Sequence, residues 1–289
     1  RFSLNGYKRQ TNPMLEKEEV VSFQKMTSCG TDTSLSVPCM FSSLDRSNYS
    51  HSKGKNMSNA LDIVSHAGVE VLWLDNNSDS KGVADRIRFE DYRLAGVNPI
   101  CDIECRDEGM LIGLQDFIDT NPEKDMLVVL HTMGSHGPAY YKRYPDSFEV
   151  FSPTCQTNQL NECSDEEINN AYDNTIVYTD YVLSKLIAVL ENNTKVDESV
   201  MFYVSDHGES LGENGLYLHG MPYFIAPDEQ KRVAALMWFN EGFSRSLNID
   251  LIKEKIEVPL SHDNLFHTLL GFMNIETEVY QQDMDIIAK

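Results

Sequence analysis

The segment Ser199–Glu213, SVMFYVSDHGESLGE, decides the fold. Val200–Val204 is an unbroken apolar run, rich in β-branched and aromatic residues and too short for an independent helix, so it predicts a strand buried on both faces. Asp206 and His207 follow at its carboxyl end, where open α/β sheets bind ligands. Asp and His suit Zn²⁺ or a similar divalent ion. Taken alone, however, this short motif favours an ordinary strand-end turn, so the metal interpretation depends on ligands elsewhere in the chain.

Similar apolar strands followed by polar loops recur along the chain. The other predicted strands are Glu19–Phe23, Val69–Leu74, Met126–Leu130 and Val233–Phe239. The predicted helices are Met57–His66, Met110–Ile118, a long helix opened by a capping box at Ser164–Glu167, and Asp263–Phe272. Strands that alternate with helices predict a mostly parallel sheet with helices on both faces. No linker interrupts the pattern, so residues 1–289 are expected to form one domain.

The charge balance excludes several classes of partner. The chain has 289 residues, with 24 basic and 45 acidic side chains and a net charge of −21. This charge argues against nucleic acid as a partner and against electrostatic adsorption to an anionic membrane. An anionic ligand would need local positive charge, most simply a metal ion. The chain also has no apolar run of about 20 residues, the length that spans a bilayer.

The six cysteines are near neighbours in polar loops: Cys29 and Cys39, Cys101 and Cys105, Cys155 and Cys163. Many connectivities are possible, and adjacent pairing is the simplest because each bridge then closes one loop. None of the spacings is that of a zinc finger. Buried reduced thiols are the alternative, although polar loops are poor sites for core packing. Three loop disulfides indicate an oxidising compartment.

Further loops carry residues that could join Asp206 and His207. Thr33 precedes a partly helical stretch, and its hydroxyl would need a base, a helix N-terminus or a metal to become a nucleophile. By pattern alone, a helix-capping threonine is the better interpretation. His136 lies in a tight glycine-containing turn, where it can transfer protons or bind metal, or be an ordinary loop histidine. His219 can face His207 or lie on the rim.

The remaining candidates have weaker patterns. The amide of Asn76 and the ammonium of Lys81 suit a phosphoryl oxygen, although this loop also resembles a solvated turn. His131 lies on a predicted strand and is expected to be a satisfied structural group. Four other histidines are expected at the surface or in helix packing: His51, His66, His262 and His267.

With these motifs assembled, the chain resembles the periplasmic catalytic domain of the phosphoethanolamine–lipid A transferases, in particular the mobile colistin-resistance type. The matching stretches are long and specific: Leu4–Tyr7 with Arg9, Cys29–Thr33, Val37–Ser42, His131–Tyr141, Ser205–Asn214 and Ser261–Asn264. The chain is also similar to the wider alkaline phosphatase/sulfatase superfamily. This resemblance implies an α/β/α sandwich with a mostly parallel central sheet.

The resemblance implies zinc-dependent transfer of phosphoethanolamine from phosphatidylethanolamine to lipid A, which gives polymyxin and colistin resistance. Thr33 matches the nucleophile, which carries the group as a phosphothreonine-type intermediate. Asp206 and His207 match zinc ligands, with the Thr33 oxygen as a third. A second metal ion at His136, His219 or Glu209 is a further possibility. The other implied roles are proton transfer and phosphate binding for His136 and His219, head-group binding for Asn76 and Lys81, and disulfides Cys29–Cys39, Cys155–Cys163 and Cys101–Cys105.

The resemblance also raises expectations about what lies outside the chain. The family has another zinc ligand, a glutamate in a Gly-Glu-Thr turn, shortly before the segment that matches Leu4–Tyr7. Because the chain begins at Arg1, we expect it to lack that ligand and to hold zinc weakly or with water completing the shell. We also expect an N-terminal membrane domain before Arg1. The implied location is the periplasmic face of the Gram-negative inner membrane, and the implied state is a monomer.

Two other kinds of function fit part of the pattern. A phosphodiesterase, sulfatase or glycerol-phosphate transferase of the same superfamily would use the same site. A sulfatase needs cysteine or serine at the nucleophile position, so Thr33 disfavours that activity. The other alternative is a secreted zinc-binding or interaction module without enzymatic activity.

Overall fold

The computed structural model describes residues 1–288, and the strands in this part of the chain form three sheets. The strands are β1 (Val21–Thr27), β2 (Glu70–Asp75), β3 (Arg88–Asp91), β4 (Met126–His131), β5 (Val200–Val204), β6 (Ser210–Leu211), β7 (Tyr217–Leu218), β8 (Arg232–Phe239) and β9 (Leu260–Ser261). The largest sheet has the order β5-β8-β1-β9, the second has the order β3-β2-β4, and β6 pairs with β7.

The strand directions bring distant parts of the sequence to one edge. β8 is antiparallel to both of its neighbours, β1 and β5, so β1 and β5 run parallel to each other. In the second sheet, β2 is parallel to β3 and β4, and Asp75 pairs with His131 where β2 and β4 end. The segments that leave β1 and β5 therefore emerge on the same side of the larger sheet.

The helices connect these strands. They are α1 (Thr33–Met40), α2 (His51–Gly54), α3 (Ala60–His66), α4 (Met110–Thr120), α5 (Asp165–Glu191), α6 (Asp228–Lys231), α7 (Glu241–Ser246), α8 (Ile249–Lys253) and α9 (Asp263–Phe272). The capping box at the start of α5 is present: Ser164 accepts from the Glu167 amide, and the Glu167 carboxylate accepts from the Ser164 amide. Within residues 1–288, none of the helices combines the length and apolar character needed to cross a bilayer.

The helices cover both faces of the sheet layer. Side chains of β8 alternate between the two faces, as the twofold period of a strand requires. Leu236 and Trp238 pack with α5, whereas Met237 packs on the other side with Ile252 of α8. On the second sheet, Trp73 belongs to a core formed with α1, α3 and α9. The architecture is the predicted α/β/α sandwich. The strand predicted at Val233–Phe239 is present as β8, but it runs antiparallel to β1 and β5, whereas a mostly parallel sheet was expected.

Several predicted elements differ from the observed ones in detail; β1, for example, ends at Thr27 instead of Phe23. β5 lies where it was predicted, but only Met201 in it is fully buried. The other side chains are half-buried because β5 borders a cavity of about 1090 Å³ that is also lined by β4. α3 begins at Ala60 instead of Met57, because the Asn59 side chain accepts the amides of Leu61 and Asp62 and so caps the helix there.

β3 was not predicted. Its sequence is RFED, which has no apolar run, and Arg88 and Phe89 are exposed. A polar strand of this kind is typical of a sheet edge, and β3 lies at the edge of the second sheet. β3 is a strand because it pairs with β2, and the local sequence does not show that pairing.

Three disulfides close short loops by adjacent pairing: Cys29–Cys39, Cys101–Cys105 and Cys155–Cys163. No free cysteine remains among the described residues. The first bridge ties the segment after β1 to the end of α1, and both of its cysteines are buried. It therefore encloses Thr33 within its loop.

Replacing both Cys29 and Cys39 with serine is expected to lower the free energy of unfolding by about 2–4 kcal/mol, because the bridge limits the entropy of the unfolded chain. Its cysteines are 10 residues apart, against 4 for Cys101–Cys105. The same double replacement at Cys101 and Cys105 is the control, and it should lower the free energy of unfolding by a smaller amount. Urea denaturation without reductant measures both. An equal or larger loss at the shorter loop would contradict the explanation.

Candidate functional site

Thr33 is the first residue of α1 and is buried. Asp32 precedes it as the N-cap residue, and its carboxylate accepts the Leu35 amide at 3.1 Å. Because Asp32 takes the capping role, the Thr33 hydroxyl is left for another contact. It lies at the positive end of the helix dipole, which favours negative charge on oxygen. The interpretation of Thr33 as a mere helix cap is therefore wrong.

Thr33 meets the two polar residues that follow β5. Its Oγ1 donates a hydrogen bond to Asp206 Oδ2 at 2.6 Å and lies 3.3 Å from His207 Nε2. His207 Nε2 lies 3.6 Å from Asp206 Oδ2. We call these three residues the nucleophile cluster. Thr33 is more than 170 positions away from Asp206 and His207 in the sequence, and the parallel directions of β1 and β5 bring them together.

His262 ties the two strand ends beneath the nucleophile cluster. Its Nδ1 accepts the Cys29 amide at 3.1 Å, and its Nε2 donates to the Ser205 carbonyl at 3.0 Å. His262 is fully buried, and burial lowers its pKa to about 4, so the ring is neutral near pH 7. Ser36 adds a hydrogen bond to the Asp206 carbonyl. The expectation of a surface or helix-packing role for His262 is wrong, because its partners come from two other segments.

The nucleophile cluster fits a divalent metal ion. Tetrahedral zinc with bonds of about 2.0–2.1 Å places neighbouring ligand atoms about 3.3 Å apart. The distances from His207 Nε2 to Thr33 Oγ1 and to Asp206 Oδ2, 3.3 and 3.6 Å, are close to this value, whereas Thr33 and Asp206 are at hydrogen-bonding distance, 2.6 Å. His207 Nδ1 donates to the Gly208 carbonyl at 2.9 Å, which leaves the Nε2 lone pair facing Thr33 and Asp206. Burial disfavours ionisation of Asp206, but His207 and the Thr33 hydrogen bond outweigh it and lower the pKa of this carboxyl. Asp206 is thus an anionic donor at neutral pH.

A second group of donors adjoins the cluster. Ligand atoms of His207, Glu209 and His219 all lie within 4.8 Å of one another. Glu209 accepts from His219 Nδ1 at 2.8 Å and from the Tyr140 hydroxyl at 2.7 Å. Burial lowers the pKa of His219, but the hydrogen bond and charge of Glu209 outweigh it and raise that pKa above its usual value. This group can therefore present either metal ligands or a cationic imidazole to an anionic substrate.

His136 lies beside this second group. Its ring centroid is 5.5 Å from that of His219. His136 Nδ1 donates to the Gly137 carbonyl at 2.8 Å, so its Nε2 is unprotonated when the ring is neutral. Burial lowers the pKa of His136 and favours that neutral form. The pair can thus hold one proton donor and one proton acceptor side by side.

Asn76 and Lys81 follow the end of β2, but their side chains are engaged elsewhere. The buried amide of Asn76 donates to the Cys105 carbonyl at 2.9 Å and to Asp107 Oδ1 at 2.8 Å. Lys81 Nζ donates to the Ser78 carbonyl. Neither side chain hydrogen-bonds to the nucleophile cluster. Their expected contact with the head group stays a prediction.

His131 is a residue whose surroundings the sequence did not reveal. Its Nδ1 lies 2.8 Å from Asp75 Oδ2, and Trp73 Nε1 donates to the same oxygen at 2.9 Å. Its Nε2 is buried and has no hydrogen-bond partner within residues 1–288. The prediction of a satisfied structural group is therefore wrong for one of the two nitrogens. The pairing of β2 with β4 supplies the carboxylate, and His131 lines the same cavity as the nucleophile cluster.

Comparisons with known proteins identify the family of this chain. The sulfatase family model matches residues 1–275. Phosphoethanolamine transferase EptA of Escherichia coli strain K12 is 46% identical over 99% of this chain, which covers 53% of that protein. Phosphatidylethanolamine transferase Mcr-1 of Escherichia coli is 45% identical over 96% of this chain, which covers 51% of it. The chain thus spans about half the length of these curated relatives.

Solved structures give the same result. The soluble domain of lipooligosaccharide phosphoethanolamine transferase A from Neisseria meningitidis superposes with a TM-score of 0.95 at 44% identity, and the match covers 99% of this chain and 87% of that one. The integral membrane form of that transferase gives the same TM-score and identity over 54% of its chain. The chain belongs to the sulfatase family and, within it, to the phosphoethanolamine transferases.

Proposed function

We propose that this protein transfers phosphoethanolamine from phosphatidylethanolamine to a phosphate of lipid A, through a covalent intermediate on Thr33. The observation that carries the proposal is the contact of Thr33 Oγ1 with Asp206 and His207, at 2.6 and 3.3 Å. The names of the relatives support phosphoethanolamine as the transferred group. Polymyxin and colistin resistance would follow, because a modified lipid A carries less net negative charge for a cationic antibiotic to bind.

In the first half-reaction, Thr33 Oγ1 forms a bond to the donor phosphorus, and the bond from phosphorus to the diacylglycerol oxygen breaks. The Asp206 carboxylate, which already accepts the Thr33 hydroxyl, takes its proton. His219, whose protonated form Glu209 favours, gives a proton to the departing diacylglycerol oxygen. Diacylglycerol leaves as an alcohol, and phosphoethanolamine stays on Thr33.

In the second half-reaction, a hydroxyl oxygen of a lipid A phosphate attacks the same phosphorus, and the bond to Thr33 breaks. The acceptor proton returns to His219, and the Asp206 proton returns to Thr33. The two half-reactions therefore leave the protein in its starting protonation state. His136 lies beside His219 and is placed to help position the phosphate.

The donor set fits Zn²⁺, which would be held by Thr33, Asp206 and His207. When bound, zinc would lower the pKa of the Thr33 hydroxyl and offset negative charge on the phosphoryl oxygens. His219 and Glu209 are also suited to a second ion, but that ion would need an unprotonated His219 Nε2 and would therefore replace the role of His219 as proton donor. Lys81 and Asn76 are proposed to contact the head group. For a protein with a net charge of −21, such local positive charge is needed to attract a phosphate.

The proposed setting is the periplasmic face of the inner membrane. Three disulfides agree with an oxidising compartment. The donor and acceptor are both membrane lipids. We infer that attachment comes from a membrane domain outside these residues, since the chain spans about half of its curated relatives. A monomer is the proposed state.

The covalent step can be tested by mass spectrometry. We expect the zinc-loaded protein, quenched after mixing with a soluble aryl ester of phosphoethanolamine, to carry phosphoethanolamine on the peptide that contains Thr33. Adduct that passes only to water would favour the phosphodiesterase alternative. Zinc binding with neither adduct nor donor consumption would favour the non-enzymatic module. In both cases the transferase proposal would fail.

A further inference from the structure

The loop after His219 exposes large apolar side chains. Phe224 is 87% exposed, more than any other large apolar residue within residues 1–288, and the neighbouring Ile225 is 55% exposed. We call these two residues the apolar tip. Single exposed apolar residues are common, but two adjacent ones at the end of a loop can form a binding surface.

Hydrogen bonds hold the apolar tip in its outward position. The amides of Ile225 and Ala226 both donate to the Pro222 carbonyl at 3.0 Å, which closes a tight turn. At the base of the loop, the Met221 amide donates to the side chain of Gln230 at 3.2 Å, and Gln230 is buried. The loop is thus anchored in the protein interior, and its outward direction is built into the fold.

The same loop is joined directly to the segment that carries the nucleophile. The Gly220 amide donates to the Thr31 carbonyl at 2.8 Å, and the Thr31 hydroxyl donates to the Met221 carbonyl at 2.6 Å. Thr31 lies two residues before Thr33. The loop that carries the apolar tip is therefore fixed to the segment that leads into Thr33.

Two cationic side chains flank the aromatic residue beneath the tip. The Arg46 guanidinium lies 4.1 Å from the centre of the Tyr223 ring, and Lys231 Nζ lies 5.6 Å from it. Lys231 also pairs with Asp228 at 3.8 Å, so its charge is partly offset. From the tip toward the body of the protein, the side chains are first apolar and then aromatic and basic. A docked bilayer has the matching order, with acyl chains in its interior and phosphates at its surface.

We propose that the apolar tip inserts into the lipid surface that holds the substrates, with Arg46 and Lys231 at the level of the lipid phosphates. The segment that leads into Thr33 would then lie close to the head groups that the nucleophile must reach. Desolvation of two apolar side chains drives this docking, and it can overcome repulsion by the acidic remainder of the protein. The inference rests on the proposed function, because that function makes both substrates membrane lipids.

The experiment compares two matched double variants of this chain with the original. Phe224→Ser/Ile225→Ser removes the apolar tip. Leu94→Ser/Val150→Ser removes two apolar side chains that are 55% and 61% exposed on other loops. Each protein is sedimented with vesicles of phosphatidylcholine and phosphatidylethanolamine. Turnover is measured with phosphatidylethanolamine in those vesicles and with a soluble aryl ester of phosphoethanolamine.

We expect the tip variant to lose vesicle binding by about tenfold or more and to lose turnover of the vesicle donor in proportion. Its turnover of the soluble donor and its thermal midpoint should not change, and the control variant should behave like the original. Unchanged vesicle binding by the tip variant would overturn the proposal. A fall in soluble-donor turnover at an unchanged thermal midpoint would also overturn it, since the tip would then serve the site directly.

The design separates this inference from the proposed function. If the original protein binds vesicles through the apolar tip but turns over neither donor, the docking surface stands and the transferase proposal fails. If the original protein turns over the soluble donor but the tip variant binds vesicles as well as the original does, the transferase proposal stands and the docking surface fails.

Discussion

Thr33→Ala is expected to reduce transfer by on the order of 10⁴-fold or more, because removal of a covalent nucleophile leaves only binding and electrostatic contributions. The hydroxyl is the group that contacts both Asp206 and His207, and no second hydroxyl is described in the nucleophile cluster. The fold should survive because Asp32, and not Thr33, caps α1. We expect the free energy of unfolding to change by about 1 kcal/mol, the cost of one hydrogen bond.

Thr33→Ser is the matched control. It keeps the oxygen and removes a methyl group, so it should retain measurable transfer and still form the covalent adduct. Transfer is measured by the appearance of phosphoethanolamine on the acceptor, and stability by urea denaturation. If Thr33→Ala kept transfer within tenfold of the original, the covalent mechanism would be wrong, although the family assignment would stand.

Asp206→Asn is expected to weaken zinc binding by about 100-fold or more and to abolish transfer with it. The substitution preserves the shape of the side chain and the oxygen that accepts the Thr33 hydroxyl, but it removes the negative charge of the proposed ligand set. The lowered pKa of Asp206 means that this charge is present at neutral pH in the original protein. Competition with a metal chelator measures zinc affinity without reference to activity.

Asp119→Asn is the control for that experiment. Asp119 is an exposed carboxylate on α4 that pairs with Lys195 at 2.7 Å, outside the nucleophile cluster. Asp119→Asn removes one negative charge, as Asp206→Asn does, so any effect of net charge on zinc affinity would be common to both variants. Equal zinc affinity for Asp206→Asn and the original protein would exclude Asp206 as a ligand.

The order of strands and helices could be predicted from the sequence because local residue patterns specify most of these elements. The apolar run Val200–Val204, the capping box at Ser164 and the helical spacing of Asp263–Phe272 each specify an element from its own residues. These patterns also placed polar residues at the ends of strands. β3 was not predicted because a polar edge strand has no such local pattern.

The roles of two histidines could not be predicted from local sequence patterns. His262 and His131 carry no local signal, since each depends on partners far away in sequence. His262 binds the backbone of residues 29 and 205, and His131 binds Asp75 across the pairing of β2 with β4. Histidine is intermediate between the mostly buried and the mostly exposed residue types, so only the fold could show the surroundings of these two.

By itself, the sequence determined the α/β class, the polar loops at the strand ends and the residue types suited to phosphoryl transfer, because these follow from short-range periodicity and side-chain chemistry. The tertiary structure decided which of those loops meet. β1 and β5 run parallel because β8 lies antiparallel between them, and this places Thr33 within hydrogen-bonding distance of Asp206. Such contacts between residues far apart in the chain depend on strand order and direction, which local patterns do not encode.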